Sequence, residues 1–279
     1  MLILDELRRP DDKIYHNAPP ACGLPHIYYA LRPEDETAIL VLENKEWPGD
    51  HLMFNYPFNI YYESLVLENK ECPYLHYGVQ NITNSLTAIE AQEKSTELII
   101  KYLTNHSINN SILEVGIGLG TTLNKLQSCG YNVKGISPDL DQITQSNMLH
   151  TSFEGYITTD TYNHILFQES AQYIDPSIIV SKSHSLLEKQ GQLLIMDEFS
   201  TEIIPEVEKL IEGMFKIEDL KDLTKKAKGS ITYLIKVIEK HRNNITDSRI
   251  DDLLPLLKIR ESEYNNGTYK YLLVSLIKK

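Results

Sequence analysis

Glu114 sits inside an apolar run, Ile112–Val115, and glycines follow the run at alternate positions, Gly116, Gly118 and Gly120. A carboxylate among apolar residues is costly unless it meets a partner. Glycine has no Cβ, so the chain can turn tightly and a ligand can lie against the backbone. An amphipathic segment comes next, and the start of a helix presents free N–H groups to a polar ligand. The stretch Ser111–Leu123 (SILEVGIGLGTTL) is therefore expected to hold a polar, nucleotide-like ligand, with Glu114 facing it. Dehydrogenase turns more often read G-x-G-x-x-G, with an acid at the end of the second strand. A phosphate-binding P-loop is excluded, because no Lys-Ser/Thr follows these glycines.

The elements that must position this turn alternate regularly. Strands are expected at 111–115, 132–136, 152–157, 164–169 and 192–199, with helices between them. Those helices are Thr121–Cys129, the run DLDQITQSNML after Pro138, and SIIVSKSHSLLEKQG closed by Gly191. A helix over Thr83–Asn105 precedes the first strand. After the fifth strand come a helix at Glu202–Glu212, a strand at Phe215–Leu220, helices at Lys225–Arg242 and Asp247–Glu261, and a β run in TYKYLLVSLI. This pattern predicts an α/β fold, a doubly wound seven-stranded sheet with mostly parallel strands. The ligand crevice then lies beyond the carboxyl ends of the strands.

Bulk properties narrow the partners. A net charge of −12 argues against non-specific nucleic-acid or anionic-membrane binding, which need basic surface. The three cysteines, Cys22, Cys72 and Cys129, are far apart and match no metal pattern, so a reducing cytoplasmic compartment is expected. No leader segment or membrane-length apolar run is read in the chain. Residues 1–82 are read as an N-terminal helical cap crowded with aromatics, among them Tyr56, Phe58, Tyr61, Tyr74 and Tyr77. Tyr and Phe both fill the seams of such caps and wall small-molecule pockets. LVLENKEWPGDH (Leu40–His51) recurs as LVLENKECPYLH (Leu65–His76), with nine of twelve positions identical, and is read as a duplicated helix end with a Pro stop. Its paired histidines, His51 and His76, lack a third ligand of suitable spacing, so no metal site is expected.

With these residues in view, LEVGIGLGTTL resembles the first motif of the class I S-adenosylmethionine-dependent methyltransferases. GISPDLDQI, HILFQESAQYI and SLLEKQGQLLIMDEF are similar, in order, to later segments of that fold. PYLHYG resembles a segment of its small-molecule and cyclopropane-synthase-like branch. The resemblance implies an adenosylmethionine-binding domain over residues 83–279, with a lid insertion at about 221–264. It implies that Glu114, Gly116, Gly118, Gln168 and Tyr77 hold the methionine part of the cofactor. Ser137, Asp139 and Gln142 stand where the family holds the ribose, although the usual acid position carries Ser137. Gly155, Tyr156 and Ile157 match its adenine turn, with Tyr156 at the usual acid position. Glu169 is the expected base, with Tyr77, Gln172 and Tyr173 as orienting groups.

The expected activity is methyl transfer to a small metabolite, in secondary or specialised metabolism, by a cytoplasmic monomer or homodimer. Two alternatives stay open. One is transfer or cyclisation of the aminocarboxypropyl group of adenosylmethionine, and the other is a non-catalytic binding protein of the same fold.

Overall fold

Val, Ile and Leu in short runs between glycine or asparagine turns give this chain its strands. The computed structural model describes residues 56–79, 87–103 and 110–279. Within them the elements are α1 (Phe58–Asn69), α2 (Ala88–Leu103), β1 (Ser111–Val115), α3 (Thr121–Ser128), β2 (Asn132–Ser137), β3 (Met148–His150) and β4 (Tyr162–Gln168). They continue as α4 (Pro176–Leu186), β5 (Leu187–Ser200), α5 (Ile204–Glu212), β6 (Phe215–Asp222), α6 (Thr224–His241), α7 (Ile250–Asn266) and β7 (Tyr269–Lys278).

The strands form one seven-stranded mixed sheet in the order β3-β2-β1-β4-β5-β7-β6. β7 runs antiparallel to both of its neighbours, and the other pairs are parallel. The strand order reverses direction between β1 and β4, and in such sheets the ligand crevice opens at that point.

Side chains alternate across the sheet with a period of two. Ile112, Leu166, Leu194, Met196, Tyr271 and Leu273 pack on one face, with α1, α2, α3, α6 and α7. Leu113, Val115, Ile165, Phe167, Leu193 and Ile195 pack on the other, with α4 and α5. The same alternation sends Glu114, Gln168 and Glu198, at the carboxyl ends of β1, β4 and β5, toward the first face. Three polar side chains from three strands thus reach one place.

The strand between Ser111 and Val115 and the helix from Thr121 stand where the sequence puts them. Three local expectations do not hold. No long helix follows Pro138. A single 3-10 turn forms at Leu140–Gln142, with Asp139 accepting the Asp141 N–H at 3.0 Å. Asn147 then donates to the Val133 carbonyl at 2.9 Å. These side-chain-to-backbone bonds draw the segment onto the sheet and compete with a helical ladder. The third strand is Met148–His150 rather than 152–157, because Ser152 and Phe153 accept the Gly155 and Tyr156 N–H groups and fold that stretch into a turn.

The third correction concerns Gly191, which does not close the helix before β5. That helix stops at Leu186, and the chain enters β5 directly. Gln190 takes the left-handed backbone there, at φ 63°. A Cβ on Gly191 would lie 2.9 Å from the Glu188 carbonyl oxygen, so glycine serves the irregular pairing of β5 with β4.

The second copy of the repeat does end a helix, with Lys70 in the left-handed conformation at φ 65° after Asn69. The first copy, most of the expected cap, His51, and both ends of the expected Thr83–Asn105 helix lie outside the described residues.

Candidate active site

The glycine turn after β1 is fixed by backbone geometry. Gly116, Gly118 and Gly120 all have positive φ, at 76°, 51° and 73°. A Cβ on Gly116 would lie 2.4 Å from the Ser170 Cβ, whereas one on Gly118 would meet nothing within 4 Å. Gly116 therefore lets β1 approach the end of β4, and Gly118 leaves open backbone toward the cleft. Glu114 is 2 % exposed, and its Oε2 has no hydrogen-bond partner among the described residues. Burial raises its pKa to about 8. Gln168 is in a similar state: its Oε1 accepts from Thr122 at 2.9 Å, and its buried Nε2 is unpartnered. Orphaned buried polar atoms are rare in folded proteins and call for a ligand or a water.

A strap, Pro73–Gly78, crosses the turn and is held from several elements. Thr121 donates to the Pro73 carbonyl, and Gln92 donates to those of Tyr74 and His76, at 3.2 and 2.7 Å. Ser95 donates to the Tyr77 carbonyl at 2.7 Å. Ser230 of α6 accepts the Gly78 N–H at 2.9 Å and reaches the Gly78 carbonyl at 3.0 Å. His76 is buried rather than capping or facing solvent. Its Nδ1 and Nε2 lie 3.0 and 3.2 Å from the Tyr77 carbonyl and the Thr96 hydroxyl. Burial lowers its pKa to about 4, so it is neutral at pH 7.

Glu169 follows β4 in the left-handed region, at φ 55°. That backbone is strained for a residue with a side chain. Its Oε1 accepts the Tyr77 N–H and the Tyr271 hydroxyl, both at 2.6 Å. Burial, with the nearby carboxyls of Asp197 and Glu198, raises its pKa well above the usual carboxylate range, against the pull of its hydrogen bonds.

Asp197 holds the following turn. Its Oδ2 accepts the Ala171 and Gln172 N–H groups at 2.7 and 3.1 Å, which sets the short 3-10 turn Ala171–Tyr173. Glu198 is buried, with Arg260 on one oxygen and the Tyr264 hydroxyl, at 2.7 Å, on the other. The Arg260 guanidinium also lies 3.7 Å above the Tyr269 ring. Arg260, Tyr264 and Tyr271 are absent from the sequence-based set. The signal available for them was an acid at a strand end together with the alternate tyrosines of β7.

Most of the groups from the glycine turn, the strap and the end of β4 line one cleft of about 490 Å³. It brings together Tyr77, Glu114, Gly116, Gly118, Ser137, Asp139, Gln142, Gln168, Glu169, Gln172 and Tyr173, as well as Phe58, Tyr61 and Glu198. Ser137 donates to Gln142 Oε1 at 2.8 Å and accepts the Asp139 N–H at 3.1 Å. Gly155, Tyr156 and Ile157 are not brought in. The Tyr156 hydroxyl is 2.6 Å from that of Tyr162, in the core of the opposite face, and Ile157 is 94 % exposed. Ser152, Phe153 and Glu154 stand in the cleft wall instead. The earlier position of β3 accounts for the change. Among the described residues no group of three His, Cys, Asp or Glu is arranged to hold a metal ion. None of the described helices is long and apolar enough to cross a membrane.

The fold is shared with solved structures. The cyclopropane synthase MmaA2 from Mycobacterium tuberculosis superimposes with a TM-score of 0.65 at 14 % identity, over 78 % of this chain and 94 % of that one. The [4+2]-cyclase SpnF gives 0.64 at 14 % identity, over 78 % and 92 %. The geranyl diphosphate C-methyltransferase from Streptomyces coelicolor A3(2), solved with Mg2+, geranyl diphosphate and S-adenosyl-L-homocysteine, gives 0.58 at 12 % identity, over 78 % and 98 %. The chain thus has the Rossmann-like methyltransferase fold. At these identities the likeness is one of fold. No family model matches the sequence, and neither does any curated protein.

Proposed function

We propose that this chain is an S-adenosylmethionine-dependent methyltransferase acting on a small-molecule metabolite. Fold supports the class, and one local observation carries the reading. Glu114 is a buried carboxyl group with an unpartnered oxygen, beside a glycine turn that leaves room at Gly118. An uncompensated carboxyl there suits an ammonium group, and the neighbouring unpartnered Gln168 Nε2 suits a carboxylate. An amino acid end carries both groups.

When bound, adenosylmethionine supplies a methyl group already activated on a sulfonium centre. The chain's own work is then to bind, to align and to take up a proton. Glu114, Gly116, Gly118 and Gln168 hold the methionine end, and Tyr77 closes over it from the strap. Gln142, Ser137 and Asp139 hold the ribose, while Ser152, Phe153 and Glu154 border the adenine. Glu169 acts as base, since the burial that raises its pKa also makes its carboxylate a better proton acceptor. The Tyr271 and Tyr77 bonds to Oε1 direct its other oxygen. Gln172 and Tyr173, set by Asp197, orient the acceptor. The aromatic residues Phe58, Tyr61 and Tyr77 wall the acceptor side, in a cytoplasmic enzyme of specialised metabolism.

Calorimetric titration with S-adenosylhomocysteine tests this. Binding of the wild type is expected, with affinity about tenfold or more lower in Glu114→Gln and in Gly118→Val. Wild-type chain that fails to bind sinks the reading. Chromatography of the adenosyl product formed with a metabolite extract separates the reactions. S-adenosylhomocysteine marks methyl transfer, and methylthioadenosine marks transfer of the aminocarboxypropyl group.

A further inference from the structure

The charge of the cleft lining bears on what shares it with the cofactor. Its described residues include six carboxyl groups, Glu114, Asp139, Asp141, Glu154, Glu169 and Glu198, and neither lysine nor arginine. His76 and His150 also line it: His76 is bound to Thr96 and to the Tyr77 carbonyl and is neutral at pH 7, and His150 Nε2 lies 3.0 Å from the Pro138 carbonyl. Arg260, the cation packed behind the wall, is engaged by Glu198 and Glu263. An anionic acceptor would meet no described lysine or arginine here, whereas a cation would stabilise the ionised form of a carboxyl group that burial otherwise keeps protonated.

The carboxylates at the acceptor end are not alike. Glu198 is already neutralised, with Arg260 and Tyr264 covering its two oxygens. Among the described residues Glu169 has no cationic partner, and its hydrogen bonds, both from neutral donors, fall on Oε1 and leave Oε2 without one. The same cleft carries the rings of Phe58, Tyr61, Tyr77 and Tyr173. Phe58 is edge-on to Tyr61 and to Tyr173, with ring centres 6.1 and 6.3 Å apart. Aromatic faces attract cations and cover the carbon stems that carry them.

We propose that the acceptor half of the cleft takes a small amine in its ammonium form, its charge on Oε2 of Glu169 and its carbon substituents against the four rings. This rests on the reading of the Glu114 half as the adenosylmethionine site. It excludes carboxylic acids and phosphate esters as acceptors.

Calorimetry on the full chain tests it with probes that share one stem and differ in head group: 2-phenylethylamine, 2-phenylethanol and 3-phenylpropionate. With S-adenosylhomocysteine saturating, the amine is expected to bind about tenfold or more tighter than the alcohol, and the acid weakest. Glu169→Gln is expected to bring the amine to the affinity of the alcohol, with S-adenosylhomocysteine affinity within about threefold of wild type. An acid that binds as tightly as the amine overturns the proposal. So does an amine that does not bind, or an amine preference that survives Glu169→Gln. Should that variant not fold, the wild-type order of the three probes decides alone. If S-adenosylhomocysteine itself does not bind, the cofactor reading falls separately, and the same three titrations without it still decide the amine preference.

Discussion

The two walls of the cleft are built in opposite ways. On the strap side, Pro73–Gly78 is tied to α2, α3, α6 and the end of β4 by bonds that span up to 152 residues of sequence. Opposite it, the segment after β2 is shaped by its own neighbours: Ser137 on Gln142, Asp139 on Asp141. That wall leaves Leu140 64 % exposed at the mouth. Long-range bonds to buried side chains preset a surface before any ligand arrives, while short-range bonds leave a segment free to open locally. In the proposed reading, the methionine and acceptor groups should therefore meet a preformed surface, and the nucleoside a yielding one.

The largest effect should come from breaking the preset wall at its ion pair. Arg260→Met leaves the Glu198 carboxyl buried with only Tyr264, and a loss of about 3–5 kcal/mol is expected in urea unfolding. A loss below about 1 kcal/mol would mean that this wall is not held as described.

Next is a pH effect. Glu114 has a folded pKa of about 8 against an ordinary value of 4.5, so the folded chain binds its proton more tightly than the unfolded chain does. Stability of the ligand-free protein should then fall as pH rises from about 4.5 to about 8, by up to ~1.4 kcal/mol per pH unit from this group. Asp197, raised to about 7 by burial, adds a fall of the same sign in the lower part of that window. Glu114→Gln should reduce the slope measured by urea unfolding between pH 5 and 8 without removing it. An unaltered slope would falsify the assignment of that proton to Glu114.

A smaller change tests the strap directly. Ser230→Ala removes both bonds to Gly78, and a loss of about 1–3 kcal/mol is expected, with faster hydrogen exchange at the Gly78 amide. On the yielding side, Ile157→Lys should change stability by less than about 0.5 kcal/mol and leave S-adenosylhomocysteine affinity unchanged. A tenfold loss of affinity there would restore Ile157 to the ligand contact from which the fold removes it.

The same division explains what could be read in advance. β1 and its glycine turn are legible because their chemistry is local: an apolar run, an acid, and glycines whose positive φ no other residue adopts as cheaply. The strap and the end of β4 are legible as motifs, although their mutual bonds, Tyr77 to Glu169 for instance, join residues 92 positions apart. Arg260 and Tyr264 lie on α7, whose sequence marks neither of them for the site. Only the fold sets them against Glu198, 62 and 66 residues away. Beyond Pro138 the expectation fails because Asp139 and Asn147 bond to nearby backbone and override the helical pattern. That override moves the third strand and takes Tyr156 out of the site.

The position of β7 between β5 and β6 sets an order of events during synthesis. The residues assigned to the cofactor all lie between Tyr77 and Gln168, so a ribosome that has released β1 to β4 has already supplied them. The acceptor side is different. Glu198 acquires its partners only with Arg260 and Tyr264, and Glu169 acquires the Tyr271 hydroxyl only when the last strand inserts. In the proposed reading, a nascent chain would hold most of the residues that grip the methyl donor well before it could seat an acceptor.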